Sequence, residues 1–381
     1  MKKRVVLVLA CALALSVLYG CKMDNTGGTN AGSSAAGSSS SGGSASGGKR
    51  VVNICSWGEY IDEDLITQFE EETGIKVNYQ TAESNEALYS LLKAGGSNYD
   101  VIVPSDYMIS QLIEEGMLAE LDYSNIPNFS LIDERFKNLT YDPDNKYTVP
   151  YAWGTLGIIY NTTMVDEEIT GWDAMFDPAY AGNVLMIRNS RDAFGIALMQ
   201  LGYSINTTDE QEIRQAYQLL ADANSQGVYQ AFVMDEVFQS MERGNAAIAA
   251  YYAGDYLSMV ENNEDLAFVV PEGGSNWFVD AMCVLKDGQN KKEAEEWINF
   301  ICSTEASLAN MDYIWYASPN AEALEGYPAY YEEAYGEPLS QEDYEIMAAS
   351  QQTLDHCEAY LVLPAEIRTL YNDLWTQLGI Q

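Results

Sequence analysis

From Val51 onward the chain alternates short apolar runs with amphipathic segments, and this alternation limits the fold more than any other feature. Residues 51–56 form a β-rich run. In residues 62–72, Leu65, Ile66 and Phe69 fall at the spacings of one helix face, and Thr73-Gly74 supplies a stop. Residues 75–81 read as the next strand. Residues 84–93 read as a helix with Ser84 as N-cap and Ala87, Leu88, Leu91 and Leu92 on one side, broken by Ala94-Gly95-Gly96. A third strand over 99–103 leads into Pro104-Ser105-Asp106, which opens a helix through Glu115. Such a βαβαβα rhythm requires an α/β fold, with parallel strands covered by helices. Ligands in such sheets sit beyond the carboxyl ends of strands, here residues 55–60, 80–84 and 103–107.

Further strands are expected at 151–161, 183–187, 246–252, 268–270 and 279–285. Helices are expected at 172–180 (short, with a proline inside), 193–201, 210–223 and 292–301, with a mostly helical tail from 343. A chain of 381 residues suits two domains.

The N-terminus reads as an address. Met1-Lys2-Lys3-Arg4 is basic, residues 5–19 are apolar, and Leu18-Tyr19-Gly20-Cys21 follows. The run is the length of a signal-peptide core and short for a membrane span. A small residue before a cysteine there resembles the lipobox of bacterial lipoproteins, which implies cleavage after residue 20 and lipidation of Cys21. Ordinary secretion, with Cys21 a chance residue, is the alternative. Residues 27–48 contain only Gly, Ser, Ala, Thr and Asn, so nothing there can bury a core. A coil of that composition reaches roughly 25–30 Å. The expected order is a signal peptide at 1–20, a lipidated cysteine and tether at 21–50, and a globular body beyond.

Composition excludes several functions. With 57 acidic and 19 basic side chains the formal charge is −38, the wrong sign for a nucleic-acid binder. One histidine, His356, argues against His-based triads and multi-histidine metal sites. No GxSxG, HExxH or P-loop is present. Asp142-Pro143-Asp144-Asn145 lacks the spaced ligands of a calcium loop and reads as a turn. No cofactor or metal is expected. Cys55, Cys283, Cys302 and Cys357 fit no zinc or redox spacing, and buried free thiols are expected over disulfides.

What stands out is aromatic residues beside carboxylates: Trp57, Glu59 and Tyr60; Ser105 and Tyr107; Tyr251, Tyr252 and Asp255; Trp277, Phe278 and Asp280; Tyr313, Trp315 and Tyr316. An aromatic face attracts a cation by about 0.5–2 kcal/mol. A carboxylate accepting an ammonium N–H makes a charge-assisted bond about twice as strong as a neutral one. Together they suit an elongated organic cation. Each aromatic taken singly is more simply read as core packing or a strand face. A pair of acids could also serve glycoside hydrolysis, but carboxylates are too abundant here for that to be specific.

The run Asn53-Ile54-Cys55-Ser56-Trp57-Gly58-Glu59-Tyr60-Ile61, with residues 69–77 after it, resembles the start of the spermidine/putrescine-binding proteins of ABC importers. So do Glu83-Ser84-Asn85-Glu86, residues 99–107, residues 149–154, Arg191-Asp192-Ala193-Phe194-Gly195, Leu201-Gly202-Tyr203-Ser204, Pro271-Glu272-Gly273-Gly274, Ile298-Asn299-Phe300 and Ser318-Pro319-Asn320. These matches keep one order from about residue 51 to 320; the last 60 residues match loosely.

The resemblance implies a two-lobe, type II periplasmic-binding-protein-like fold, each lobe a mixed sheet flanked by helices, with ligand in the cleft. Residues 51–155 plus 277–322 would form lobe 1, and 156–276 plus 323–381 lobe 2. Trp57, Tyr60, Ser105 and Tyr107 would line the first lobe. Asp192, Tyr252, with Asp255 on the same turn, Phe278 or its neighbour Trp277, Asp280 and Tyr316 would complete the site. Asn189 stands where the family carries an acid, and Leu361 where it carries a glutamine. The implied protein is no enzyme. It is an extracytoplasmic, lipid-anchored monomer that closes on a polyamine and delivers it to permease subunits driven by a cytoplasmic ATPase. The alternatives are a sugar or amino-acid derivative in the same fold, a surface glycosidase, and a purely structural surface protein.

Overall fold

The computed structural model describes residues 50–95 and 97–379. The signal, Cys21 and the tether lie outside the described residues.

The first stretch follows the expected alternation: β1 (Val51–Ser56), α1 (Glu63–Thr73), β2 (Lys76–Thr81), α2 (Asn85–Ala94), β3 (Val101–Ile102) and α3 (Asp106–Glu114). Local chemistry sets the ends. Asp62 caps α1 by accepting from the Asp64 amide, and Gly74 closes it at φ 70°. Ser84 caps α2 through the Ala87 amide. β1 pairs in parallel with both β2 and β3, so their carboxyl ends share one edge. The 142–145 segment is a turn: the Asp142 carboxylate accepts from the amides of Lys146, Tyr147 and Thr148.

β4 (Thr148–Asn161) joins the two lobes. Its first half, Thr148 to Thr155, pairs with β9 (Trp277–Val284). Its second half, Leu156 to Asn161, pairs with β7 (Ile248–Tyr252) and β8 (Leu266–Val269). One strand therefore belongs to both halves of a single curled sheet of order β2-β1-β3-β9-β4-β7-β5-β6. In the second lobe β5 (Val184–Ile187) lies parallel to β6 (Tyr229–Val233) and to β7. The covering helices there are α4 (Ser190–Gln200), α5 (Glu210–Ser225), α6 (Glu236–Glu242) and α7 (Ala253–Val260). After β9 come α8 (Lys291–Ile301), α9 (Thr304–Ile314), α10 (Ala321–Tyr335), α11 (Gln341–Met347), α12 (Gln351–Leu354) and α13 (Ala365–Gln377). α10 packs on α9, α11 on α7, and α13 on α4 and α5.

Two expectations need revision. Residues 172–180 are not one helix but two 3₁₀ turns, Trp172–Phe176 and Pro178–Tyr180. The proline forces Asp177 before it into extended backbone, φ −76° and ψ 120°. β6 and α6 were not expected, because Tyr-Gln-Ala-Phe-Val is short and lacks clear alternation, and neither were α7, α9 and α10. Cys55, Cys283 and Cys302 are buried free thiols, and Cys357 is a half-buried one.

Gly157 shows how tightly the shared strand is packed. A Cβ there would stand 2.6 Å from the Val269 carbonyl oxygen, a backbone atom that cannot turn aside, and would run into the Phe268 ring. Gly157→Ala is expected to cost about 1–3 kcal/mol through overpacking, read as a lower urea midpoint; an unchanged midpoint would show that β8 yields freely.

Candidate ligand-binding site

In both lobes the parallel strands end toward the same cleft. β1 delivers Trp57, Gly58 and Tyr60; β2 leads to Glu83, Ser84 and Asn85; β3 leads to Ser105, Asp106 and Tyr107. From the other lobe, β5 leads to Asn189 and Asp192, β6 to Asp235, and β7 to Tyr252 and Asp255. β9 contributes Phe278 and Asp280, and Tyr316 follows α9.

Six carboxylates line this cavity, from Glu83, Asp106, Asp192, Asp235, Asp255 and Asp280, and no described Lys, Arg or His joins them. Four take an aromatic donor each, with the Tyr251 hydroxyl donating to Asp235 Oδ1 at 3.4 Å. Trp57 Nε1 donates to Asp280 Oδ2 at 3.0 Å, the Tyr252 hydroxyl to Asp192 Oδ2 at 2.7 Å, and the Tyr316 hydroxyl to Asp255 Oδ2 at 2.8 Å. The second Asp280 oxygen, Oδ1, is buried and makes no hydrogen bond of ordinary geometry; the Tyr60 hydroxyl, likewise without one, lies near enough, with Ser105, to ease the charge on that carboxylate. The rings form a continuous edge-to-face wall: Tyr60 against Tyr316 at 5.1 Å and Tyr252 against Phe278 at 5.3 Å, with Phe278 and Tyr316 6.1 Å apart.

Burial with no cation paired directly to them shows in the acid strengths. Desolvation pushes Asp192 and Asp280 up to about 6 and Asp255 up to about 7, and the side-chain donors, Ser105 ahead of the aromatics at Asp280, pull them back only in part. Asp106 and Asp235 are raised by the same cause. The arrangement favours an incoming cation, since an ammonium replaces the lost hydration of each carboxylate.

The lobes also touch at the rim. Arg188 Nη2 lies 3.4 Å from Glu83 Oε2. A side chain on Gly58 would run into the Asp235 carboxylate.

Trp57, Tyr60, Ser105, Tyr107, Asn189, Asp192, Tyr252, Asp255, Phe278, Asp280 and Tyr316 all line the cavity. Glu59 and Trp277 do not. Glu59 adopts φ 48° in the turn after β1, and its side chain is exposed to solvent. Trp277 lies on β9, where alternate residues face opposite ways, so the strand that turns Phe278 and Asp280 inward turns Trp277 outward. Asn189 caps α4: its Oδ1 accepts from the amides of Arg191, at 2.9 Å, and Asp192, at 3.4 Å, so that oxygen is already engaged. Leu361 is exposed, and its neighbour Tyr360 lines the cleft instead. Asp106, Asp235, Asn85 and Phe238 were missed. Asp106 stood in plain view at the end of β3; Asp235 required β6, which carries little pattern.

The raised acids set a pH dependence with a defined sign. A carboxyl with a higher pKa folded than unfolded binds more protons in the native state, so its contribution lowers stability as pH rises from about 4 through 7. Asp255→Asn removes one such group and can still accept from Tyr316. The ligand-free variant is expected to melt higher than the parent at pH 8, by an amount that shrinks as pH falls and disappears only below about pH 4; a lower melting temperature at pH 8 would contradict this electrostatic account.

Residues 64–335 match the family model for bacterial extracellular solute-binding proteins. The spermidine/putrescine-binding periplasmic protein of Escherichia coli K12 is 35% identical over 277 residues, 70% of this chain and 77% of that one. An ABC-transporter structure from Listeria monocytogenes superposes with a TM-score of 0.80 at 39% identity, covering 87% of this chain and 99% of that one. The TpPotD lipoprotein of Treponema pallidum gives 0.74 at 26% identity, over 86% and 99%. With its two α/β lobes, its cleft at the strand ends and these matches, the chain belongs to the bacterial extracellular solute-binding proteins.

Proposed function

We propose that this protein captures a polyamine, spermidine or putrescine, outside the membrane and delivers it to an ABC permease. The observation that carries the reading is the cleft lined by six carboxylates and no described base, with Asp280 Oδ1 buried and without a hydrogen bond of ordinary geometry. A neutral sugar would leave that negative charge unanswered, whereas a flexible diamine or triamine brings ammonium groups to the acids and methylenes to the rings. The relatives named for spermidine and putrescine support the same reading.

The mechanism is hinge closure. β4 changes partners between Thr155 and Leu156, and the return strand does so between Asn276 and Trp277, where the Leu156 amide donates to the Asn276 carbonyl. A third crossing lies at the Asn276–Glu358 bridge. Lobe 1 would then hold residues 51–155 and 277 onward through α10, which packs on α9; lobe 2 would hold 156–276 and the chain from α11. A ligand that touches Asp192 on one side and Asp280 on the other binds the closed form better and shifts the population toward it. Cleavage before Cys21 and lipidation of its thiol would hold the body on the outer face of the membrane by the tether. The chemistry is binding and release, with no covalent step.

Calorimetric titration of the ligand-stripped protein with putrescine and spermidine at two salt concentrations tests this. One-to-one binding that weakens with salt is expected. Asp280→Ala should lose at least tenfold in affinity. No heat with either amine, or full affinity in the variant, would overturn the reading.

A further inference from the structure

A second cavity, of about 420 Å³, lies beside the first and carries the opposite charge. Lobe 1 lines it with Ser84, Glu86 and Tyr107, and lobe 2 with Arg188, Arg191 and Arg368. In a chain with 19 basic residues against 57 acidic ones, three arginines around one cavity make a marked concentration.

Arg188 is already answered, at 3.4 Å by Glu83 and 3.6 Å by Glu236. Arg191 is not. Its side chain is buried, 6% exposed, yet Nε and Nη1 have no hydrogen-bond partner, and Nη2 reaches only Asn206 Oδ1 at 3.4 Å. Its guanidinium stacks among the rings of Tyr360, at 4.5 Å, Tyr371, at 5.5 Å, and Tyr107, at 5.6 Å. Those faces hold the cation but satisfy none of its N–H groups in the plane. Three acids feel its charge, Asp192, Glu86 and Asp106; tyrosine hydroxyls engage the first two, from Tyr252 and Tyr107, and the Tyr107 amide donates to Asp106. Arg368 spends Nη1 on the Leu363 carbonyl at 2.7 Å and makes no ion pair among the described residues. The rest of the wall carries no further charge and mixes apolar side chains, Met108, Leu363 and Trp375 among them, with neutral polar ones such as Gln111 and Asn372.

We propose that this cavity binds a small organic oxyanion, a carboxylate or phosphate ester with an apolar body, on Arg191 and Arg368. The guanidinium fork is shaped for such an oxyanion. Trp375 and Met108 take the apolar part. Because the cavity is walled by both lobes, a bound anion favours the closed form and strengthens binding in the neighbouring acidic cleft, with the reciprocal effect required by linkage. This coupling rests on the polyamine reading; the anion site itself does not.

The test titrates the protein without polyamine with benzoate, phenyl phosphate and inorganic phosphate at fixed ionic strength. Saturable binding of benzoate or phenyl phosphate below about 1 mM, weakened at least fivefold in Arg368→Gln, is expected; tighter binding of one than the other tells which oxyanion is meant. Saturation by inorganic phosphate alone would overturn the apolar-body assignment. No saturation with any probe, or equal affinity in Arg368→Gln and in Arg191→Gln, would overturn the site. Should Arg191→Gln fail to fold, Arg368→Gln decides alone. Putrescine affinity should then rise at least threefold at saturating anion; unchanged affinity, with putrescine still bound, would overturn the bridging role.

Discussion

Buried carboxylates without a cation are the constraint on which the rest of this structure depends. Ionised acids in a dry cleft are costly, and the fold offsets that cost with dipoles rather than charges. Asp106 is the first residue of α3, while Asp192 and Asp255 sit in the first turns of α4 and α7. Each therefore lies where unpaired amides and the helix dipole favour negative charge. Strand-to-helix connections at the carboxyl edges bring all three helix starts to the same cleft. Bare helix starts would make that cleft an anion site. Aspartates in the first turns reverse its sign, and the aromatic donors hold their carboxylates in place.

Much of this was readable from the residues because it rests on local pattern. The alternation from Val51 to Glu115 gave β1 to α3, and Ser84 and Gly74 cap their helices as expected. Aromatic–acid clusters at strand ends marked most of the cleft because strand ends are where such a sheet places ligands. The failures share one cause, direction. Glu59 and Trp277 are adjacent in sequence to cleft residues, but a left-handed turn and the two-residue repeat of β9 send their side chains elsewhere. Tyr360 and Asp235 lie where periodicity is weakest, and only tertiary contacts bring them in.

The start of α4 has a second task. Asn189 fixes the first turn by capping, and within that turn Asp192 lines the acidic cleft while Arg191 lines the basic cavity. Two opposite charges in consecutive residues are kept apart by the helix geometry and by rings, with Tyr252 taking the acid and Tyr107, Tyr360 and Tyr371 stacking on the base. Direct pairing of the two would neutralise the cleft's charge. The aromatic cage lets a guanidinium be buried nearby without spending the carboxylate that the cleft uses.

Tyr316 shows how closure and binding share parts. The next residue, Ala317, accepts from the Trp153 amide of β4, so the ring is rooted at the crossing. Its face meets Tyr60 of the first lobe, and its hydroxyl donates to Asp255 of the second. Gly154 and Gly254 lie against the ring: a Cβ on Gly154 would come within 3.3 Å of it, and one on Gly254 within 2.5 Å. Without a side chain at either position the ring can approach both lobes at once. Its hydrogen bond to Asp255 can persist only while the second lobe keeps its present orientation to the crossing. Lobe angle is thereby linked to the electrostatics of a binding carboxylate, so a cation that draws on Asp255 acts on the hinge through the same tyrosine.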